Sequence, residues 1–152
     1  MKITDYLQSQ NVQFETRQHP PAYTAQEVAA EEHVSGRTLA KAVVIRADDN
    51  YALCVLPAHR KLDMEKAAAA LKAQQAFLAD EMDLAKLFPD AEVGAEPPFG
   101  NLYNLPTVAD NQLASEEFIV FQAGTHRQAI RMRFDDYRRL VNPLLADISV
   151  GL

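Results

Sequence analysis

The sequence predicts a mixed α/β fold of the α+β kind in one domain spanning residues 1–152. Three observations carry that prediction. Apolar runs of strand length dominate the middle of the chain, among them residues 39–47, 51–56 and 117–122. Segments with apolar residues at helical spacing are interspersed, without the regular alternation of repeated βαβ units. No internal repeat, low-complexity stretch or linker divides the 152 residues, a length that suits one domain with a sizeable core.

Ile3, Tyr6 and Leu7 lie at helical spacing, so residues 3–10 read as a short amphipathic helix. Residues 12–16 alternate apolar and polar and read as a strand. His19-Pro20-Pro21 ends it, because proline lacks the amide a ladder needs. Thr24-Ala25-Gln26-Glu27 has the form of a capping box and places a second helix over the residues that follow. The runs 39–47 and 51–56 flank Asp48-Asp49-Asn50, a hairpin signal. Asp63 is placed to cap a helix through Leu71, over the good helix formers at 67–70. Another helix is expected over 80–88, with Leu84, Leu87 and Phe88 as its apolar face and Pro89 as its stop. Residues 106–108, 117–122 and 128–133 then read as strands and 134–140 as a closing helix. The apolar tail at 148–152 is expected to pack on its own domain.

Composition narrows the function. No run of about 18 apolar residues exists, so no membrane span is expected. The opening Met1-Lys2-Ile3-Thr4-Asp5 lacks the regions of a secretory signal, and one cysteine cannot form an internal disulfide; a cytoplasmic location is expected. That cysteine, Cys54, sits in a strand run and reads as core filling rather than a nucleophile. A formal net charge of −6 argues against extended binding to duplex DNA, though not against a short contact with a nucleic-acid end. Positive charge is local, at Arg37, Lys41, Arg46, Arg60 and Lys61 and again at Arg127, Arg131 and Arg133. His19, His33, His59 and His126 lack metal-ligand spacing, so no metal is expected. Ser115 has no nucleophile-elbow context, and Asp110-Asn111 reads as an ordinary cap or turn.

Three segments are harder to explain as packing. Lys41 stands between Ala40 and Ala42 at the mouth of an apolar strand. A strand-end lysine ordinarily snorkels to water, yet these small neighbours leave room for a ligand beside an ammonium able to hold a phosphate. In Val93-Gly94-Ala95-Glu96-Pro97-Pro98-Phe99-Gly100, glycine opens unusual backbone angles and two prolines fix theirs. The segment is either a plain turn or a preset cradle whose amides and carbonyls can be aimed at a substrate. Ala123-Gly124-Thr125-His126 puts a histidine in a Gly turn between two strands, where it can be a base, a donor or a turn residue. No phosphate-binding P-loop, dinucleotide fingerprint or zinc signature competes with them.

Together with Gln18-His19-Pro20-Pro21-Ala22-Tyr23-Thr24-Ala25-Gln26-Glu27-Val28-Ala29, these segments resemble the YbaK/prolyl-tRNA-synthetase-associated editing domains. The likeness runs in order over about residues 3–141. Leu39-Ala40-Lys41-Ala42-Val43-Val44 matches the segment with the family lysine, Gly94-Ala95-Glu96-Pro97-Pro98 its GxxxP loop, and residues 123–126 its late Gly-x-His segment. The resemblance implies a compact YbaK-like domain with a central mixed, mostly antiparallel sheet or partial barrel flanked by helices. It also implies a free-standing aminoacyl-tRNA deacylase that needs no cofactor or metal. Such proteins hydrolyse the ester between a wrong amino acid (Ala, Ser, Thr or Cys) and the terminal adenosine of tRNA.

By the same resemblance, Lys41 would hold the phosphate or ribose near the 3′ end. Residues 94–98, including Gly94, Ala95 and Pro98, would hold the aminoacyl end by backbone contacts. Water helped by the ribose 2′-hydroxyl would be the nucleophile, and His126, with Gly124 and Thr125, would shape or polarise the pocket. Tyr23 and Thr24 stand where family pockets are lined, and equally read as an aromatic packed on a helix cap. The partners implied are the aminoacyl-tRNA 3′ end and an aminoacyl-tRNA synthetase; oligomeric state stays open. An aminoacyl ester is already activated, so oriented water and a stabilised oxyanion can suffice. The alternative is a non-catalytic module that binds an aminoacyl-tRNA or nucleotide end.

Overall fold

The computed structural model describes residues 2–152. The chain opens with helix α1 (Ile3–Ser9), strand β1 (Phe14–Gln18) and helix α2 (Ala25–Glu31). The long strands β2 (Ala40–Ala47) and β3 (Asn50–Pro57) follow, then β4 (Arg60–Leu62), α3 (Met64–Ala70), β5 (Ala76–Leu78) and α4 (Glu81–Leu87). Beyond the Gly/Pro loop come β6 (Thr107–Asp110), β7 (Phe118–Gln122), β8 (Gln128–Arg133), α5 (Phe134–Val141), β9 (Leu144–Ala146) and β10 (Ser149–Gly151).

The central sheet has the order β5-β2-β3-β6-β9, with β2 antiparallel to β3 and β5, and β6 parallel to β3 and β9. A second sheet, β1-β8-β7, is antiparallel throughout, and β10 pairs antiparallel with β4. The ladders do not close into a barrel, and the architecture is the mixed α/β domain that the sequence predicts.

Strand β3 is paired on both edges and buried over residues 52–57, which is why its sequence is continuously apolar rather than alternating. Its two faces feed different clusters. Leu53 and Val55 join Phe99, Phe121, Ile130 and Tyr137 in the main core, where the two larger sheets meet. Cys54 turns the other way with Ile45, Val108 and Ile148, against Ala67 of α3. Period-two alternation thus covers both faces of one strand.

Several boundaries differ from the sequence reading. Strand β1 begins two residues later than expected and runs to Gln18, because its register with β8 continues to Gln128. At α2 the Thr24 side chain accepts from the Glu27 amide at 3.1 Å. The reciprocal capping box forms instead at α4, where Asp80 accepts from the Asp83 amide at 2.8 Å and Asp83 from the Asp80 amide at 3.3 Å. Four three-residue strands (β4, β5, β9 and β10) were not foreseen, since three residues carry no periodicity. The apolar tail does pack on its own domain: Ile148 is fully buried, and its amide donates to Asp110 Oδ2 at 3.2 Å. Asp110 Oδ1 also accepts from Gln112, so this carboxylate is a structural cap.

Candidate active site

Strand β5 reaches β2 only at Ile45–Ala47, with one further bond from the Ala79 amide to the Val44 carbonyl at 3.0 Å. Along 40–43 that edge of β2 is therefore not covered by β5. Antiparallel pairing alternates the direction of backbone groups, so Ala42 shares Val44's orientation and turns its N–H and C=O away from β3. A cavity of about 160 Å³ lies there, with residues 39–43 on one wall and Gly94 and Glu96 among those opposite.

Lys41 lines this cavity. Its ammonium donates to the Arg60 carbonyl at 2.5 Å and the Ala58 carbonyl at 3.5 Å, which ties it to the turn between β3 and β4. An ammonium has three donors, so one remains for a ligand. Partial burial desolvates the group and lowers its pKa from the ordinary lysine value.

The Gly/Pro loop is held from several sides. Gly94 has φ +90°, a left-handed angle that favours glycine, and a Cβ built on it would meet His126 Cε1 at 3.4 Å. Its amide donates to Glu96 Oε1 at 2.9 Å. The Gly124 amide donates to the Ala95 carbonyl at 2.9 Å, and the Glu92 amide to the Gly124 carbonyl at 2.8 Å. In the core, the Tyr137 hydroxyl donates to the Pro98 carbonyl at 2.7 Å, while the Phe99 ring packs against Phe121 and Tyr137. Preset backbone of this kind costs little further ordering on binding.

His126 stands behind the loop. Its Nε2 is 2.9 Å from the Val93 carbonyl, which can only accept, so Nε2 carries the hydrogen. The His126 amide donates to Glu92 Oε1 at 2.7 Å, and its ring lies 4.7 Å from that of Tyr23. The buried Nδ1 has no hydrogen-bond partner among the described residues. With Nε2 engaged by the loop, the imidazole fixes the cradle rather than facing the cavity.

The structure brings Tyr23, Lys41 and Gly94 onto one cavity. Ala95 and Pro98 are buried supports of the loop, and Thr24 caps α2 outside the lining. Gly124 and Thr125 line a separate cavity of about 130 Å³ beside Asp90, Tyr103 and α1. Sequence reasoning missed two polar lining residues, Glu96 and Gln122. Glu96 sits inside the quoted loop motif, and a carboxylate between a glycine and two prolines was the signal available. Gln122 ends an ordinary strand and gave none. Cys54 is fully buried, and desolvation pushes its thiol up to about 12, which removes it as a nucleophile.

The basic residues converge only in part. Arg37, His59 and Arg60 line a neighbouring cavity of about 310 Å³, together with Glu116. It shares the Arg60 turn with Lys41, while the Arg60 guanidinium donates to Ser149 Oγ at 2.9 Å and to the Ser149 carbonyl at 3.0 Å. Arg46 pairs with Asp49, Arg131 with Glu15 and Arg133 with Glu117. Arg131 and Arg133 also stack on Phe118. Among the described residues no three His, Cys, Asp or Glu group as metal ligands, and no helix is long and apolar enough to cross a membrane.

The fold recurs in solved structures. A candidate trans-editing enzyme for prolyl tRNA synthetase superposes with a TM-score of 0.87 at 20% identity, over 98% of this chain and 95% of the other. The hypothetical protein APE2540 gives 0.89 at 18% identity, over 99% and 100%. A scaffold protein from work on computational epitope backbone grafting gives 0.81 at 24% identity, over 91% and 88%. At these identities the likeness establishes the fold. The sequence itself matches the model of the aminoacyl-tRNA editing domain over residues 19–140, a span containing β2, the Gly/Pro loop and the turn that carries His126. The chain therefore belongs to the aminoacyl-tRNA editing domain family.

Proposed function

We propose that this protein is a trans-editing deacylase that hydrolyses the ester of a small amino acid at the terminal adenosine of a mischarged tRNA. The observation that carries the reading is the placement of Lys41 and the preset Gly94 loop on one cavity of about 160 Å³. That volume is well below the roughly 300–1,000 Å³ of a drug-sized site and suits an Ala, Ser, Thr or Cys ester.

In this reading Lys41 holds the phosphate or ribose next to the ester as a point charge. The loop holds the aminoacyl group by contacts from a backbone that needs little further ordering. Water, oriented with the help of the ribose 2′-hydroxyl, adds to the ester carbon. The bond from that carbon to the ribose oxygen then breaks, the ribose oxygen takes a proton, and the amino acid leaves as its carboxylate. The engaged Nε2 of His126 and the inert Cys54 both favour water over a covalent acyl-enzyme. Arg37 and Arg60 beside the Lys41 turn supply positive charge for the phosphates of the approaching single strand. A synthetase that delivers the mischarged tRNA is the partner this reading implies.

The test is hydrolysis of tRNAs mischarged with Ala, Ser, Thr or Cys. The expected result is turnover of at least one ester well above its spontaneous rate. Binding of tRNA with no turnover of any ester would replace the deacylase with a binding module.

A further inference from the structure

We infer that Glu96 forms a subsite for the free α-ammonium of the aminoacyl group, so that N-blocked esters are rejected. The inference rests on the editing reading and names the feature of the substrate that this site recognises.

The polar groups of the cavity are unevenly divided. Lys41 is its cation, tethered at the Ala58–Arg60 turn. Glu96 is 5% exposed and has no ion-pair partner among the described residues. Its Oε1 accepts from the Gly94 amide at 2.9 Å, a contact that leaves most of its acceptor capacity unused. A carboxylate with spare acceptor capacity can take charge-assisted hydrogen bonds from a ligand ammonium.

Gln122 closes the wall beside Glu96. Its Nε2 lies 3.5 Å from the Gly94 carbonyl, and its Oε1 is buried out of a ligand's reach. The cavity thus presents a carboxylate and, along the uncovered edge of β2, the outward carbonyl of Ala42, and the group it fits is a small cation with several N–H donors.

An aminoacyl ester carries such a group one carbon from the bond to be cut. A peptidyl or N-acetylated ester carries a neutral amide with one N–H and added bulk. The subsite would therefore separate mischarged aminoacyl-tRNA from peptidyl-tRNA, whose ester bond is chemically the same.

Two measurements test this. The first compares binding of 3′-alanylamino-3′-deoxyadenosine with its N-acetyl derivative; the amide link cannot be turned over as an ester, so binding is read apart from catalysis. The free amine is expected to bind at least 10-fold tighter. Glu96→Gln, which keeps an acceptor for the Gly94 amide but removes the charge, should abolish that preference. Equal affinity of the two analogues, or no binding of either, would overturn the subsite.

The second measurement compares kcat/KM on alanyl-tRNA and N-acetyl-alanyl-tRNA, with melting curves to verify that the variant is folded. Glu96→Gln should lower only the free-amine rate. An equal fall on both esters would mark Glu96 as merely structural and overturn the inference. Absence of any ester turnover alongside a clear preference for the free amine would defeat the deacylase reading and leave the subsite standing.

Discussion

Gly94 concentrates the demands on the site in one residue. Its φ of +90° disfavours any side chain, and the His126 ring occupies the space a Cβ would approach. Gly94→Ala is expected to cost about 1–3 kcal/mol of stability in denaturant unfolding, the usual range for a strained backbone position. Turnover should fall further than stability, because the same peptide aims the loop at the cavity. Glycine and lysine were legible in the sequence because each is unusual where it stands: a flexible residue beside two prolines, and a cation in an apolar strand. Glu96 and Gln122 were not, since their place on the cavity wall comes from the meeting of a loop and a strand end, which only the folded chain displays.

The C-terminal clip joins elements that sequence patterns left unresolved. Strands β4 and β10 are each three residues long, too short for an alternation to register, and pair only because the tail returns to the Arg60 turn. Lys66 fastens the same region through Asp147 at 2.9 Å, and its hydrogen bond holds the Asp147 carboxyl below the ordinary carboxylate value of 3.8. A lowered carboxylate pKa stabilises the fold above its unfolded value, and that contribution disappears as pH falls through the folded value. The group is exposed, so the effect should be small. Asp147→Asn is expected to flatten part of the acid limb below about pH 4 in a stability-against-pH series and to leave neutral-pH turnover unchanged. An unaltered acid limb would show that the contact contributes nothing measurable. Longer elements were predictable for the opposite reason: α3, α4 and the β2–β3 hairpin each carry a cap, an apolar face or a turn.

At the scale of the molecule, an acidic protein is proposed to bind a polyanion through one small region. Arg46, Arg131 and Arg133 are paired with carboxylates, and the phosphate contacts proposed are those of Lys41, Arg37 and Arg60 around one turn. Binding should therefore depend only shallowly on salt. Arg37→Ala is expected to reduce the log–log salt slope for tRNA binding by about 0.7, the contribution of one single-strand phosphate. An unchanged slope would exclude Arg37 from the path. The fold class was legible from strand length, interspersed helices and their order. The convergence of Lys41 with a loop some fifty residues later was not, because it depends on β5 stopping short of the first half of β2.

The most direct test of the central claim is single-turnover hydrolysis of the preferred mischarged tRNA by wild type and Lys41→Ala, with melting temperatures measured in parallel. Burial disfavours the Lys41 charge, so its removal should leave the melting temperature within about 4 °C of wild type. Hydrolysis is expected to fall at least 100-fold in this folded variant. Wild-type rates from Lys41→Ala would contradict the account, because the cavity would then lie away from the chemistry.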